Sequence, residues 1–153
     1  MFDVLVYLFE TYYNPQACPN DDVLAHKLAA VGFENDEIYD ALDWLQGLGE
    51  STQKHTPMAA PRSAHSLRIY TADEQHHFDT DALGFIYFLE FSGVLTPLLR
   101  EILIERAIAV QEPPLSLDKL KIIALIVLWR HEIEVDHLVI EELLSYHDDE
   151  LAH

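Results

Sequence analysis

Cysteine is nearly absent from this 153-residue chain. Cys18 stands alone, which excludes an internal disulfide framework and a four-thiolate zinc site. Five Gly and seven Pro are too few for a collagen-like or low-complexity chain. Cations are scarce: 9 Lys plus Arg stand against 27 Asp plus Glu, a formal net charge of −18. Binding duplex nucleic acid requires cations that displace counterions, so a broad phosphate-binding footprint is excluded. An anionic membrane surface is disfavoured on the same ground. The longest apolar run, Ile122 to Trp129, is far shorter than the roughly 20 residues that span a bilayer. The opening MFDVLVYLFETYYN has no basic n-region and no small-residue cleavage site. No lipidation motif opens or closes the chain. The expectation is a cytoplasmic protein that keeps Cys18 reduced.

What is present is a helical pattern. Half of the residues are apolar, and a chain of this size buries roughly 68–70% of its unfolded surface without staples. Val4, Leu5, Leu8, Phe9 and Tyr12 recur at spacings of three and four, which predicts a helix from Phe2 to about Tyr13. Asn14-Pro15 stops it. A second helix starts after Asp21 or Asp22 as cap, buries Leu24, Leu28 and Val31, and ends at Gly32. A third starts at Asn35 as cap, turns Ile38, Ala41, Leu42, Trp44 and Leu45 inward, and closes at Gly47 and Gly49.

Residues 51–66 lose this periodicity and read as a linker. Lys54 and Arg62 make it the positive segment, between bodies of charge −9 (1–50) and −11 (67–153). Leu67 to Tyr70 alternates like a short strand or extended arm. Thr71 and Glu74 form a capping box for a short helix to about Phe78. Further helices follow: Asp81 to Phe91, Pro97 to Val110 behind a Thr96 cap, Leu117 to Arg130 behind Ser116, and one behind Asp136 to Tyr146. Ile122 to Trp129 is apolar on every side and is expected to be the central helix of the second half. The fold class is mainly α. A three-helix N-terminal unit (1–50) is joined by a linker (51–66) and an extended segment to a helical C-terminal unit (67–153).

Several residue groups carry chemistry in other proteins. His76-His77 with Asp79 and Asp81 is the densest ligand cluster. Adjacent helical residues do not face one metal, however, and zinc requires three or four converging ligands. His131-Glu132 fails the metalloprotease pattern because Val135 stands where the second His is needed. Cys18 has no activating base beside it in sequence. The seven Tyr and seven Phe fall on apolar helical faces without interleaved cations, so they read as core. Tyr12, Tyr13, Tyr39 and Trp44 are too many for three helices to bury alone, so some are expected on the second half or at an interface. No Gly-rich phosphate loop and no Ser elbow is present. The expectation is no catalytic residue, no cofactor and no metal. The nine His would offset up to about half of the negative charge on acidification toward pH 5.

The chain resembles the bacterial Smg family. The resemblance rests on Met1-Phe2-Asp3-Val4-Leu5 with Tyr7 to Glu10, on Gly32-Phe33, and on Ile38-Tyr39 with Ala41-Leu42 and Trp44-Leu45. It continues through Arg68 to Thr71 with Glu74, Gly84-Phe85 with Phe88 to Glu90, Arg100-Glu101 with Ile104 to Arg106, and Leu117 to Leu120. It implies a small cytoplasmic protein without an assigned reaction, often encoded beside genes for DNA processing and peptide deformylation. Separately, Leu24 to Leu48 is similar to three-helix and winged-helix modules that bind DNA. The third segment, however, holds Glu34, Asp36, Glu37, Asp40 and Asp43 and no cation, the wrong sign for a recognition helix. The expected function is therefore a non-enzymatic protein-interaction role. Acidic faces at Glu34 to Asp43, with Trp44, and at Glu132 to Glu142 would contact a basic partner, with nucleic-acid metabolism as the setting. The alternatives are an acidic DNA mimic, a weak nucleic-acid binder using the Lys54–Arg68 segment, and a metal enzyme at His76 and His77.

Overall fold

The computed structural model describes residues 1–12, 14–55, 70–110 and 114–144. Eight α-helices make up these residues: α1 (Phe2–Thr11), α2 (Asp21–Val31), α3 (Asn35–His55), α4 (Ala72–His77), α5 (Thr80–Phe91), α6 (Pro97–Ile108), α7 (Leu117–Arg130) and α8 (His137–Leu144). Among them the single β contact is a parallel bridge between Phe78 and Leu115. The fold is mainly α, and no wing accompanies α2 and α3 among the described residues.

The helix starts follow from local chemistry. Thr71 and Glu74 close the expected capping box in both directions, at 3.2 and 3.0 Å. Asp79, Thr96 and Ser116 cap α5, α6 and α7, and Pro97 occupies the first position of α6. Gly32 ends α2 in the left-handed region (φ 119°), with Phe33 N–H donating back to the Leu28 carbonyl.

Four expectations are corrected. Asn20, not Asp21 or Asp22, caps α2: its side chain accepts from Val23 N–H at 3.0 Å, and both Asp lie inside the first turn. Asn35 is the first residue of α3 rather than its cap, because Ile38 N–H already bonds to the Glu34 carbonyl. Gly47 and Gly49 do not close α3, which runs on to His55. The continuation is held by packing: Ser51 is buried and the Thr52 hydroxyl lies 2.9 Å from His131 Nε2 beyond the end of α7. A helical glycine costs about 1 kcal/mol against alanine, which tertiary contacts readily offset. Val31, expected inside, lies exposed at the end of α2. Residues 56–69, which hold most of the expected linker and strand, and the tail beyond Leu144 lie outside the described residues.

α7 is the centre. Every residue from Leu120 to Trp129 is buried, as an all-round apolar helix requires. It packs against α1, α5, α6 and α8, while α3 packs against α6, α2 and α1. Val4, Leu5 and Leu8 of α1 thus share one hydrophobic cluster with Leu120 to Trp129. Each fully buried Leu or Ile contributes about 1.5–3 kcal/mol. Polar pins cross the same seam. The Trp129 indole donates to the Tyr12 carbonyl at 2.9 Å, and the Lys119 ammonium lies 5.7 Å from the Phe2 ring centre. Tyr12 and Trp44 are accommodated by the second half as expected, while Tyr39 is left exposed.

Two cations are buried with partners. Arg100 bonds Glu90 and Glu101. Burial opposes its charge, but the two carboxylates outweigh burial and lift its pKa above the usual arginine value. Lys121 pairs with Glu142 of α8 at 2.9 Å.

Candidate functional site

Of the acidic residues expected to meet a partner, Asp36, Asp40 and Asp43 lie along one side of α3. Asp36, Asp40 and Asp43 are spaced by four and three, and Gly47 and Glu50 extend the row by the same intervals. Asp36, Asp40, Asp43 and Glu50 are exposed, as is Glu34. Glu37 is half-buried, and its carboxylate accepts the Glu34 N–H at 3.4 Å.

Trp44 takes a different place. It is 5% exposed. Its indole donates to the Arg106 carbonyl at 3.1 Å, and Arg106 Nη1 donates back to the Trp44 carbonyl at 3.1 Å. The guanidinium carbon also sits 5.8 Å from the Trp44 ring centre. Trp44 therefore fastens α3 to α6, and the edge it leaves exposed helps floor a cavity of about 720 Å³. Asp40, Asp43, Glu50 and Arg106 line that cavity with the start of α1.

Arg106 enters the acidic row where Gly47 leaves room. A Cβ at Gly47 would lie 2.2 Å from Arg106 Nη1. Burial draws the Arg106 pKa below its usual value, while Glu105, Glu50 and Asp43 hold it up. Its Nε is buried with no hydrogen-bond partner among the described residues. The guanidinium thus cancels part of the charge at the middle of the row, and Asp36 and Asp40 remain outward at one end. Sequence reasoning missed Arg106 and Gly47. The available signal was that Gly47 continues the acidic spacing without interrupting the Ala41, Trp44, Leu48 inner face.

The other clusters are occupied locally. His77 Nε2 donates to the Ala107 carbonyl at 3.1 Å, and its ring packs edge-on against Phe78 at 5.6 Å. Asp79 is spent on the α5 cap at 2.7 Å, and His76 is exposed. Among the described residues no three His, Cys, Asp or Glu converge for a metal ion. His131 Nδ1 donates to the Val127 carbonyl at 2.7 Å, and its Nε2 lies 2.9 Å from the Thr52 hydroxyl, joining the ends of α3 and α7. Asp136 accepts from Leu138 N–H at 3.0 Å at the start of α8. Lys54 lies 3.6 Å from Glu105, and Arg62 and Arg68 lie outside the described residues. Burial raises the Cys18 pKa, opposed by Arg130, so the thiol is held as a thiol. Among the described residues no helix is long and apolar enough to cross a membrane.

The described residues thus form a helical fold that carries an acidic row on α3 over a groove. The family model described as "Protein of unknown function (DUF494)" matches residues 1–153. The chain is 58% identical to the Protein Smg homolog of Bordetella pertussis over 151 residues, covering 98% of this chain and 96% of that one. It is 59% identical to the homolog of Bordetella petrii over 146 residues, 95% of each chain. It is 48% identical to the homolog of Methylibium petroleiphilum over the full length of both. The chain belongs to the Smg family. No solved structure matches it.

Proposed function

We propose that this protein is a non-enzymatic interaction protein whose acidic α3 row and adjoining groove hold a basic protein partner. One observation carries this reading. Asp36, Asp40, Asp43 and Glu50 stand exposed in a single row, on a helix locked to α6 by the reciprocal Trp44–Arg106 bonds. A rigid row of like charge gives a cationic surface both long-range attraction and register. With a net charge of −18, encounter with a basic partner is accelerated and encounter with nucleic acid is slowed.

The test is a pull-down from lysate with the intact chain and with an Asp36→Asn/Asp40→Asn/Asp43→Asn variant. A specific protein is expected on the wild-type chain at about 50 mM salt and to be lost by about 500 mM, where screening acts within a few ångströms. The amide variant is expected to recover much less of it at the low salt. Equal recovery by both chains, or no recovered protein at low salt, rejects the reading.

A further inference from the structure

α5 turns Ala82, Ile86 and Leu89 to the core, yet its outer side is not polar. Asp81, Gly84, Phe88 and Phe91 recur at helical spacing on that side, with Phe88 57% and Phe91 74% exposed. These rings are held in place rather than dangling. Phe85 stacks on Phe88 at 6.1 Å, Tyr87 stacks on Phe91 at 6.5 Å, and Tyr70 meets Tyr87 edge-on at 5.6 Å. Aromatics of this size left uncovered among the described residues are uncommon on a helix.

Gly84 adds an independent point. A Cβ there would meet nothing within 4 Å, and the residue has no positive φ. Nothing among the described residues requires glycine there, and glycine weakens a helix relative to alanine. It leaves a bare notch one turn before Phe88 that lets another backbone come close.

The border of the strip is acidic. Lys121 Nζ lies 5.7 Å from the Phe85 ring centre, but its side chain is 9% exposed and it pairs with Glu142, which is 57% exposed. The group that faces outward at that edge is therefore the carboxylate of this ion pair. Asp81 supplies a second one a turn before Gly84. A second copy would bring the same carboxylates and a net charge of −18 against them, and an anionic lipid or nucleic acid would be repelled equally.

We propose that the Gly84–Phe88–Phe91 strip of α5 is a docking surface for an amphipathic helix of a basic protein. Its apolar side would lie on the rings and its cations on Asp81 and Glu142. From Gly84 to Phe91 the strip is about 10 Å long at 1.5 Å per residue, the span of roughly two helical turns. The inference shares the charge argument of the proposed function but uses another face, so the two fail separately.

The probe is a helical peptide of about 18 Leu and Lys residues with one apolar side, titrated into the full chain by calorimetry, with a Leu/Glu peptide as control. Binding of the Leu/Lys peptide alone is expected. Phe88→Ser/Phe91→Ser should weaken it by about tenfold or more, as loss of two aromatic anchors does. Gly84→Ala should raise Tm and still weaken the peptide by about threefold, an outcome that misfolding cannot produce. The Asp36→Asn/Asp40→Asn/Asp43→Asn variant should bind it within about twofold of wild type, since Asp36 to Asp43 lie on α3. No binding, equal binding by Phe88→Ser/Phe91→Ser, or loss confined to the α3 variant overturns the proposal. So does binding to neutral phosphatidylcholine vesicles, or a dimer in sedimentation, that disappears with Phe88→Ser/Phe91→Ser.

Discussion

At the scale of single residues, the Gly47–Arg106 contact decides how α3 meets α6. Glycine normally weakens a helix, so Gly47→Ala would stabilise an isolated α3. Here the new methyl meets a guanidinium bonded to the Trp44 carbonyl, 2.2 Å away. We expect Gly47→Ala to lower unfolding free energy by about 1–2 kcal/mol in urea titrations, the usual cost of overpacking. In an Arg106→Ala background the same change is expected to raise it by about 0.5–1 kcal/mol, the plain helix propensity gain. The sign reversal is the test, and no reversal would refute the contact. Cys18 gives a pH prediction. Burial holds its folded pKa above the ordinary thiol value, so the folded chain binds the proton more tightly than the unfolded one. The stability this confers is complete below the unfolded thiol pKa and is lost as pH rises through the folded one. Iodoacetamide should therefore modify the native chain with a midpoint above that of the urea-unfolded chain. A midpoint at or below the unfolded one would contradict the burial.

At the scale of elements, α7 ends on Glu132, which holds φ 55° while Ile133 N–H reaches back to the Leu128 carbonyl. Glycine is the residue this position favours. Glu132→Gly is expected to raise stability by about 0.5–1 kcal/mol in thermal unfolding, as the Cβ strain is removed. A fall would mean that the Gln16–Glu132 contact outweighs the strain. Most helices were legible because short-range chemistry sets their starts: Thr71 with Glu74, Thr96 before Pro97, Ser116 and Gly32 act over three or four residues. The end of α3 was not legible. Local propensity stops a helix at Gly47 and Gly49, and only contacts from α6 and α7, distant in sequence, carry it to His55. The α5 strip escaped notice for a related reason. Phe85, Ile86, Phe88 and Leu89 are all apolar, so periodicity alone does not say which of them the core takes.

At the scale of the whole molecule, the acidic row was legible because charge spacing on a helix needs only the 3.6-residue period. The groove beneath it was not, since that depends on where α6 and α1 arrive. The same dependence bears on the two-unit division, because α1 buries Val4, Leu5 and Leu8 in a cluster shared with α7. A fragment of residues 1–55 is expected to lack cooperative thermal unfolding and slow amide exchange. A cooperative transition in that fragment would establish an autonomous N-terminal unit. The position of α7 has a further consequence during translation. The sticky side of the first helix leaves the ribosome more than a hundred codons before the segment that will cover it. At ordinary elongation rates that wait is on the order of 5–20 s, long enough for chaperones to engage the nascent chain.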